Sequence, residues 1–578
     1  MIGDTSGLAL LPHRRPTPSA EQRPPLQRRL RPRDGPRPWA WHWPCQQRLL
    51  CAALAWLLTA GSLAPLQAQG LPPTPVRLPA LGESASDDFN LHQEKRIGEQ
   101  IMREVRRDPA YLDDPQLLDY LHSLWAPLVQ TARQHGDIDS DTERLFPYES
   151  FLVRDRSVNA FALPGGYVGV HLGLIAITGT PDELASVLAH ELAHITRRHI
   201  ARSVAASSRS STLGLAGMLL GLLVASRAGS ADMAQAAVMG GQAAMVQAQL
   251  NFSRDMEREA DRSGLSTLVG AGFAPAGMSA MFDKLDSASR LNDNGAFPYL
   301  RSHPLTVDRI GEARQMVQAT DQTGGVPPAP LLHGLMQARA RVLMDPGVQA
   351  LRKLQDFDAR ATMDQLPLAD RLNGLYAAAL ASTGLRDFDR ADRAVRAATG
   401  LLAASPQRAD LPARHALARL AVQLALARGD TAQAGALLAA EGLVDGGRTG
   451  LLLQADWVLA DGSEPALRRS VEALHTWVTL HRDDASAWQA LAQAAGRLGQ
   501  PLRAVRAEAE SQAVLGNLPG AIDRLRAGQQ LARQGGAGQD FIEASVIDAR
   551  LRDLQSLRRQ LLAEERRAGD RTRGDAPE

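Results

Sequence analysis

Two histidines four residues apart, with a glutamate beside the first, set the strongest constraint in this sequence: His190-Glu191-Leu192-Ala193-His194. On an α-helix, residues four apart lie about 40° apart around the axis and one turn apart along it, so both imidazoles reach one point above the same face. At ligand distances of ~2.0–2.1 Å that point suits a Zn²⁺ ion. Glu191 then stands beside the metal, where it can take a proton from water. The segment is therefore expected to be helical. Leu184, Val187, Leu188, Leu192 and Ile195 supply an apolar face to bury it. Pro181-Asp182-Glu183 mark its start, because acids favour the positive end of the helix dipole.

A catalytic zinc needs a third protein ligand and an open position. The metzincin extension would put glycine at 197 and histidine at 200, but Arg197 and Ile200 stand there. His199 lies about 140° from His194 around a continuous helix, which predicts a surface residue. A carboxylate from a second helix remains, and Asn251-Phe-Ser-Arg-Asp-Met-Glu257-Arg-Glu259-Ala-Asp261 supplies one. Glu257 and Asp261 are four apart and share a helix face. Glu257 can bind the metal while Asp261 holds a ligand imidazole by its second nitrogen. Spacing alone leaves Glu259 as the rival third ligand.

The chain's length of 578 residues predicts more than one domain. Residues 1–48 hold nine arginines and three acids, and residues 49–68 hold no charge. A basic segment, an apolar Leu/Ala-rich run and a small residue before a polar start form an export signal, with cleavage expected near Ala68. Read instead as an uncleaved anchor, the apolar run is short for a span. The long Pro-rich leader also leaves room for a start codon downstream of Met1. Cys45 and Cys51 both precede the cleavage point, so the mature chain has neither a disulfide nor a thiol nucleophile. The mildly acidic remainder carries no footprint for nucleic acid.

Residues 69–88 are Pro-rich and read as a linker. From Leu91 to Arg133 the pattern is helical, with Ile97, Ile101 and Val105 and then Leu117, Leu121 and Leu124 at helical spacing. Ser150-Phe-Leu-Val-Arg and the run from Asn159 to His171 read as short strands, the latter turning at Pro164-Gly165-Gly166. The apolar stretch 211–226 would make a helix of ~24 Å, short of the ~30 Å hydrocarbon core. It reads as a core helix, with a lid or a peripheral membrane contact as the alternative. Beyond residue 330 the chain is Ala/Leu/Arg-rich, with turn signals at Gly429, Gly462, Gly499 and Gly516. The last two are half of the ~34-residue tetratricopeptide period apart, and Trp488, Leu491, Ala492, Gly499 and Ala504 fit that repeat's positions in order. The expected fold is mainly α. An α+β zincin-like domain with a small β-sheet occupies 89–330, an all-α tetratricopeptide-like solenoid 331–563, and a disordered tail 564–578.

Four motifs occur in order: Asn159-Ala-Phe-Ala-Leu-Pro-Gly-Gly, His190 to His194, Ser253-Arg-Asp-Met-Glu257-Arg-Glu-Ala-Asp261, and Ser302-His303-Pro304-Leu305. Together they resemble the zinc metallopeptidase family that includes HtpX and the CAAX prenyl protease. With an export signal in front and helical repeats behind, the domain order is most similar to that family's periplasmic β-barrel assembly-enhancing branch. The resemblance implies a single Zn²⁺ held by His190, His194 and Glu257, Asp261 behind a ligand, and Glu191 as the base. It implies that Asn159–Val170 is an edge strand beside the cleft, able to pair with extended substrate. It places His303 over the zinc, either as a gate filling the open position until substrate displaces it or as an aid to the oxyanion. Arg309 follows at a family-like distance and orients charge near the site, so His303 and Arg309 join Glu191 as catalytic candidates. The implied activity is endopeptidase action on misfolded or stalled outer-membrane proteins, coupled to their assembly. The implied partner of the repeats is the β-barrel assembly machinery. The competing reading is a chaperone or assembly scaffold that works through its repeats and cuts rarely. The repeats are where the sequence departs most from the family pattern.

Overall fold

The computed structural model describes residues 90–206, 253–291, 297–320, 330–359, 363–444, 446–534 and 540–574. The leader 1–68, the linker 69–88 and the apolar stretch 211–226 lie outside the described residues.

The helical pattern of Leu91–Arg133 belongs to two helices rather than one, α1 (Leu91–Val105) and α2 (Pro115–His135), with strand β1 (Tyr111–Leu112) between them. The break is local chemistry. Asp114 accepts a hydrogen bond from the Leu117 amide and Pro115 sits in the first turn, both of which start a helix afresh. After α3 (Ser140–Leu145) come β2 (Glu149–Val153), β3 (Ala160–Leu163) and β4 (Tyr167–His171). The sheet order is β1-β2-β4-β3, with β2 and β4 parallel and the other pairs antiparallel. The expected edge strand Asn159–Val170 is thus a hairpin, and only its first half, β3, is the edge. Gly165 and Gly166 turn it, at φ of 79° and 92°, values at which a side chain would be strained.

Helix α4 (Leu172–Ile177) leads to α5 (Pro181–Thr196), which carries the two histidines and is buried along nearly its whole length. Thr180 caps it through the Glu183 amide at 3.2 Å. Leu184, Val187, Leu188, Leu192 and Ile195 all lie in the main core, as their spacing predicts. The helix ends at Thr196, Arg198 takes a φ of 51°, and α6 (His199–Ala206) starts after that left-handed residue.

Helix α7 (Arg254–Gly270) carries the acidic motif and lies against α5. Gly264 permits the contact: a Cβ there would be 3.1 Å from the His190 amide nitrogen. Helices α8 (Ala276–Leu291), α9 (a turn, Tyr299–Ser302) and α10 (Val307–Thr320) close the domain.

From α11 (Leu331–Leu343) onward the described residues are helical apart from short 3₁₀ turns and loops. Leu368–Gly384 pairs with Phe388–Ala403, Leu411–Arg428 with Thr431–Ala440, and Ala485–Arg497 with Pro501–Val514. Gly429, Gly462, Gly499 and Gly516 all take positive φ at the turns their sequence context marks. One apolar core runs from Leu112 to Leu424, so the sheet-bearing region shares it with the first part of the helical region, while the later helices pack in clusters of their own. Polar contacts reinforce the junction. Arg339 on α11 makes two 2.7 Å hydrogen bonds to Asp114, and Arg448 donates to Asp113 at 2.8 Å. Thr449 donates to Asp119 at 2.5 Å. The tail from 564, expected to be disordered, continues the last helix, Phe541–Gly574, as far as Gly574. Its Glu, Arg and Ala content favours helix over coil.

Among the described residues no helix is long and apolar enough to cross a membrane.

Candidate metal centre

The helix geometry brings Nε2 of His190 and Nε2 of His194 to 3.0 Å from each other. Because α7 crosses α5 at Gly264, Glu257 enters the same space. Its Oε2 is 3.5 Å from His190 Nε2 and its Oε1 is 3.5 Å from His194 Nε2. Ligands ~2.05 Å from a tetrahedral ion lie ~3.3 Å from one another, so these spacings suit such an ion. The donor set, two imidazoles and a carboxylate, also suits zinc.

A fourth group completes the cluster. His303 caps the α9 turn, its amide bonded to the Tyr299 carbonyl at 2.8 Å. Its Nδ1 lies 3.0 Å from Glu257 Oε1 and 3.4 Å from His190 Nε2. Donor atoms of His190, His194, Glu257 and His303 all fall within 4.8 Å of one another, and all four residues are buried. His303 therefore stands where a tetrahedral site would otherwise be open. Its ring lies 4.7 Å from that of Tyr299, at 31°.

Glu191 is fully buried. Its Oε2 accepts a 2.9 Å hydrogen bond from the Ala162 amide on β3, and its Oε1 is buried without a hydrogen bond, 3.5 Å from His303 Nε2. The carboxylate is thus held by the strand edge, with one oxygen left toward the cluster. The Ala162 amide points to Glu191 and so away from β4, leaving the outer side of β3 beside the site.

Asp261, one turn beyond Glu257 on α7, places Oδ1 3.0 Å from His190 Nδ1. Arg309 on α10 holds it with two hydrogen bonds, Nε to Oδ2 at 2.7 Å and Nη2 to Oδ1 at 2.8 Å. Burial pushes the Asp261 carboxyl up, but the Arg309 and His190 contacts outweigh it and hold the group below its ordinary value. Arg309 also places Nη1 2.8 Å from Glu257 Oε2 and donates to the Pro304 carbonyl at 2.9 Å, tying the His303 loop to both acids.

Each candidate residue from the sequence thus gathers at one place, with two changes of detail. Glu259, the rival ligand, faces away from the cluster and meets His199 and Arg202. His199, expected on the surface, is wholly buried, with Nδ1 2.9 Å from His194 Nδ1. The extrapolation around one helix fails because the chain turns at Arg198, and no residue type there announces a left-handed backbone. The Ala162 amide was equally invisible, since a backbone donor leaves no mark in composition. Tyr299 carried no motif of its own.

Residues 121–317 match peptidase family M48. Over 514 residues the chain is 29% identical to the β-barrel assembly-enhancing protease of Escherichia coli K12, covering 88% of this chain and 96% of that protein. It is 35% identical over 321 residues to a putative β-barrel assembly-enhancing protease of Vibrio cholerae, covering 55% of this chain and 62% of that protein. It is 29% identical over 224 residues to the mitochondrial metalloendopeptidase OMA1 of Schizosaccharomyces pombe, covering 39% and 61%.

Proposed function

Residues 121–317 form a metallopeptidase domain of family M48, and on that premise we propose that the protein is a periplasmic zinc endopeptidase that degrades misfolded or stalled outer-membrane proteins and assists their assembly. The observation that carries the chemistry is the convergence of His190, His194 and Glu257 at tetrahedral spacing, with Glu191 alongside. Those three would hold the ion. A zinc ion bound there supplies Lewis acidity, bringing water's proton loss near neutral pH and polarising a peptide carbonyl.

The rest is work for the chain's own groups. Glu191 accepts the proton of the attacking water at Oε1 and returns it to the leaving amine, while the Ala162 amide keeps its other oxygen in place. The outer side of β3 pairs with an extended substrate by strand addition, which brings a scissile bond beside Glu191. His303 is the gate: it sits at the fourth corner, and substrate must displace it. Arg309 holds Asp261 and Glu257 in place and does not touch the reacting atoms. The outer-membrane substrate class and the assembly role rest on the names of the E. coli and V. cholerae relatives. A concave helical surface of tetratricopeptide type, docking on the assembly machinery, fits the helical pairs behind the peptidase domain.

The test is zinc content measured together with casein cleavage, for wild type and Glu257→Ala. One zinc per wild-type chain, with both zinc and cleavage lost in the variant, is expected. A wild-type protein that cuts without metal would overturn the reading.

A further inference from the structure

Behind the metal-facing nitrogen of His194 runs a second line of polar atoms that the peptide chemistry does not use. His194 Nδ1 is 2.9 Å from His199 Nδ1, and His199 Nε2 is 3.2 Å from Glu259 Oε2. Arg202 donates to the same Glu259 oxygen at 2.8 Å and fixes it in place. His199 is 0% exposed, and Glu259 is a third exposed at the far end of the line.

With both rings neutral and Glu259 ionised, the atoms allow one arrangement of protons. Two ring nitrogens at 2.9 Å share a single hydrogen, one donating and one accepting. If Nε2 of His194 offers its lone pair to a metal, its proton is on Nδ1 and is donated to His199. The bare Nδ1 of His199 then requires its proton on Nε2, where Glu259 accepts it. The chain His194 to His199 to Glu259 is consistent from end to end only when His194 is the tautomer a metal ligand needs.

The partner ligand is served more directly, since His190 Nδ1 faces Asp261 at 3.0 Å. Glu259 is two residues from both Glu257 and Asp261, about 200° around the helix from each. It therefore lies on the far side of α7 and cannot reach His194 itself. His199 spans the gap. It can do so because Arg198 takes φ 51°, a backbone state that costs a non-glycine residue free energy. That strain turns His199 inward instead of leaving it on the surface of a continued α5.

We propose that His199 is a positioning residue which, backed by Glu259, locks His194 as its Nδ1–H tautomer and so aims Nε2 at the metal. One stretch of α7, Glu257 to Asp261, would then supply one ligand and the anchors of the other two. The inference rests on the metal site proposed above. A ring that merely fills space at 199 would be replaceable by phenylalanine, and this separates the two roles.

The experiment is zinc affinity of the full chain, by competition with a chromophoric chelator, with the metal-free melting temperature as a check on folding. His199→Phe keeps the ring volume and removes both nitrogens, and a 10- to 100-fold weaker Kd is expected. His199→Asn puts an acceptor near the lost Nδ1 and should recover most of that affinity. Glu259→Ala, at a partly exposed position where folding is not at stake, should weaken Kd in the same direction by a smaller factor. Wild-type affinity in both His199→Phe and Glu259→Ala overturns the proposal. A wild-type chain that binds no zinc, or a His194→Ala chain that binds as tightly as wild type, strikes the metal-site reading instead.

Discussion

Arg309 grips Asp261 through two nitrogens, Nε at 2.7 Å and Nη2 at 2.8 Å, and neither residue is more than about 5% exposed. The pair joins α10 to α7 directly behind His190. Removing one partner of a buried ion pair leaves the other charged and unpaired, at a cost of ~3–5 kcal/mol. Arg309→Ala should lower the denaturation free energy by that order and weaken zinc binding through His190. Arg309→Lys should fall between, since an ammonium cannot make the two-pronged contact. Urea melts with parallel metal titration check both.

Glu191→Gln should retain one zinc and lose cleavage by ~10²–10⁴-fold, the usual contribution of a general acid–base. The amide can still accept the Ala162 hydrogen bond through its oxygen, so the fold has no reason to change. Retained turnover of casein by this variant would sink the assignment of the base. The same protein separates peptidase from scaffold in the cell, because full rescue of a deletion strain would mean the helical region does the work without cutting.

His303→Ala should raise basal cleavage, because the fourth corner of the cluster is then open to substrate and water. Unchanged or lower proteolysis would count against a gate and in favour of a direct part in the reaction.

The sequence made the centre legible because helical geometry is periodic. Two histidines at i and i+4 must share a face, as must Glu257 and Asp261, and α5 and α7 keep those faces as spacing requires. The meeting of the two helices was not periodic information. It depends on Gly264 lying against the His190 backbone, and nothing distinguishes that glycine from others in the chain. His199 was misplaced for a related reason: one residue of left-handed backbone at Arg198 resets every angle downstream. The strands were found through Pro164-Gly165-Gly166, yet which strand forms the edge is a matter of sheet order, set by long-range pairing of β2 with β4.

A pH effect should come from His333 on α11, which is not one of the residues of the metal cluster. It is buried, with Nδ1 2.5 Å from the Tyr120 hydroxyl and Nε2 3.0 Å from the Thr178 carbonyl. Burial pushes its pKa below the ordinary value. The unfolded chain therefore takes up the proton first, so this residue's stability contribution is complete above pH ~6.5 and is lost as pH falls below that. His333→Gln should show a smaller loss of urea midpoint between pH 7.5 and pH 5.5 than wild type. An equal loss in both would remove His333 as the cause.

The outer flank of β3, where Glu191 holds the Ala162 amide, has one further meaning for the substrate pairing proposed above. Only backbone whose own amides and carbonyls are still unmatched can zip onto such an edge. A segment already closed into a finished barrel has none to offer, whatever its sequence, whereas one that has stalled before closure has many. A peptidase that reads its targets through that flank would tell the immature from the mature by their vacant hydrogen bonds, without recognising any particular residue.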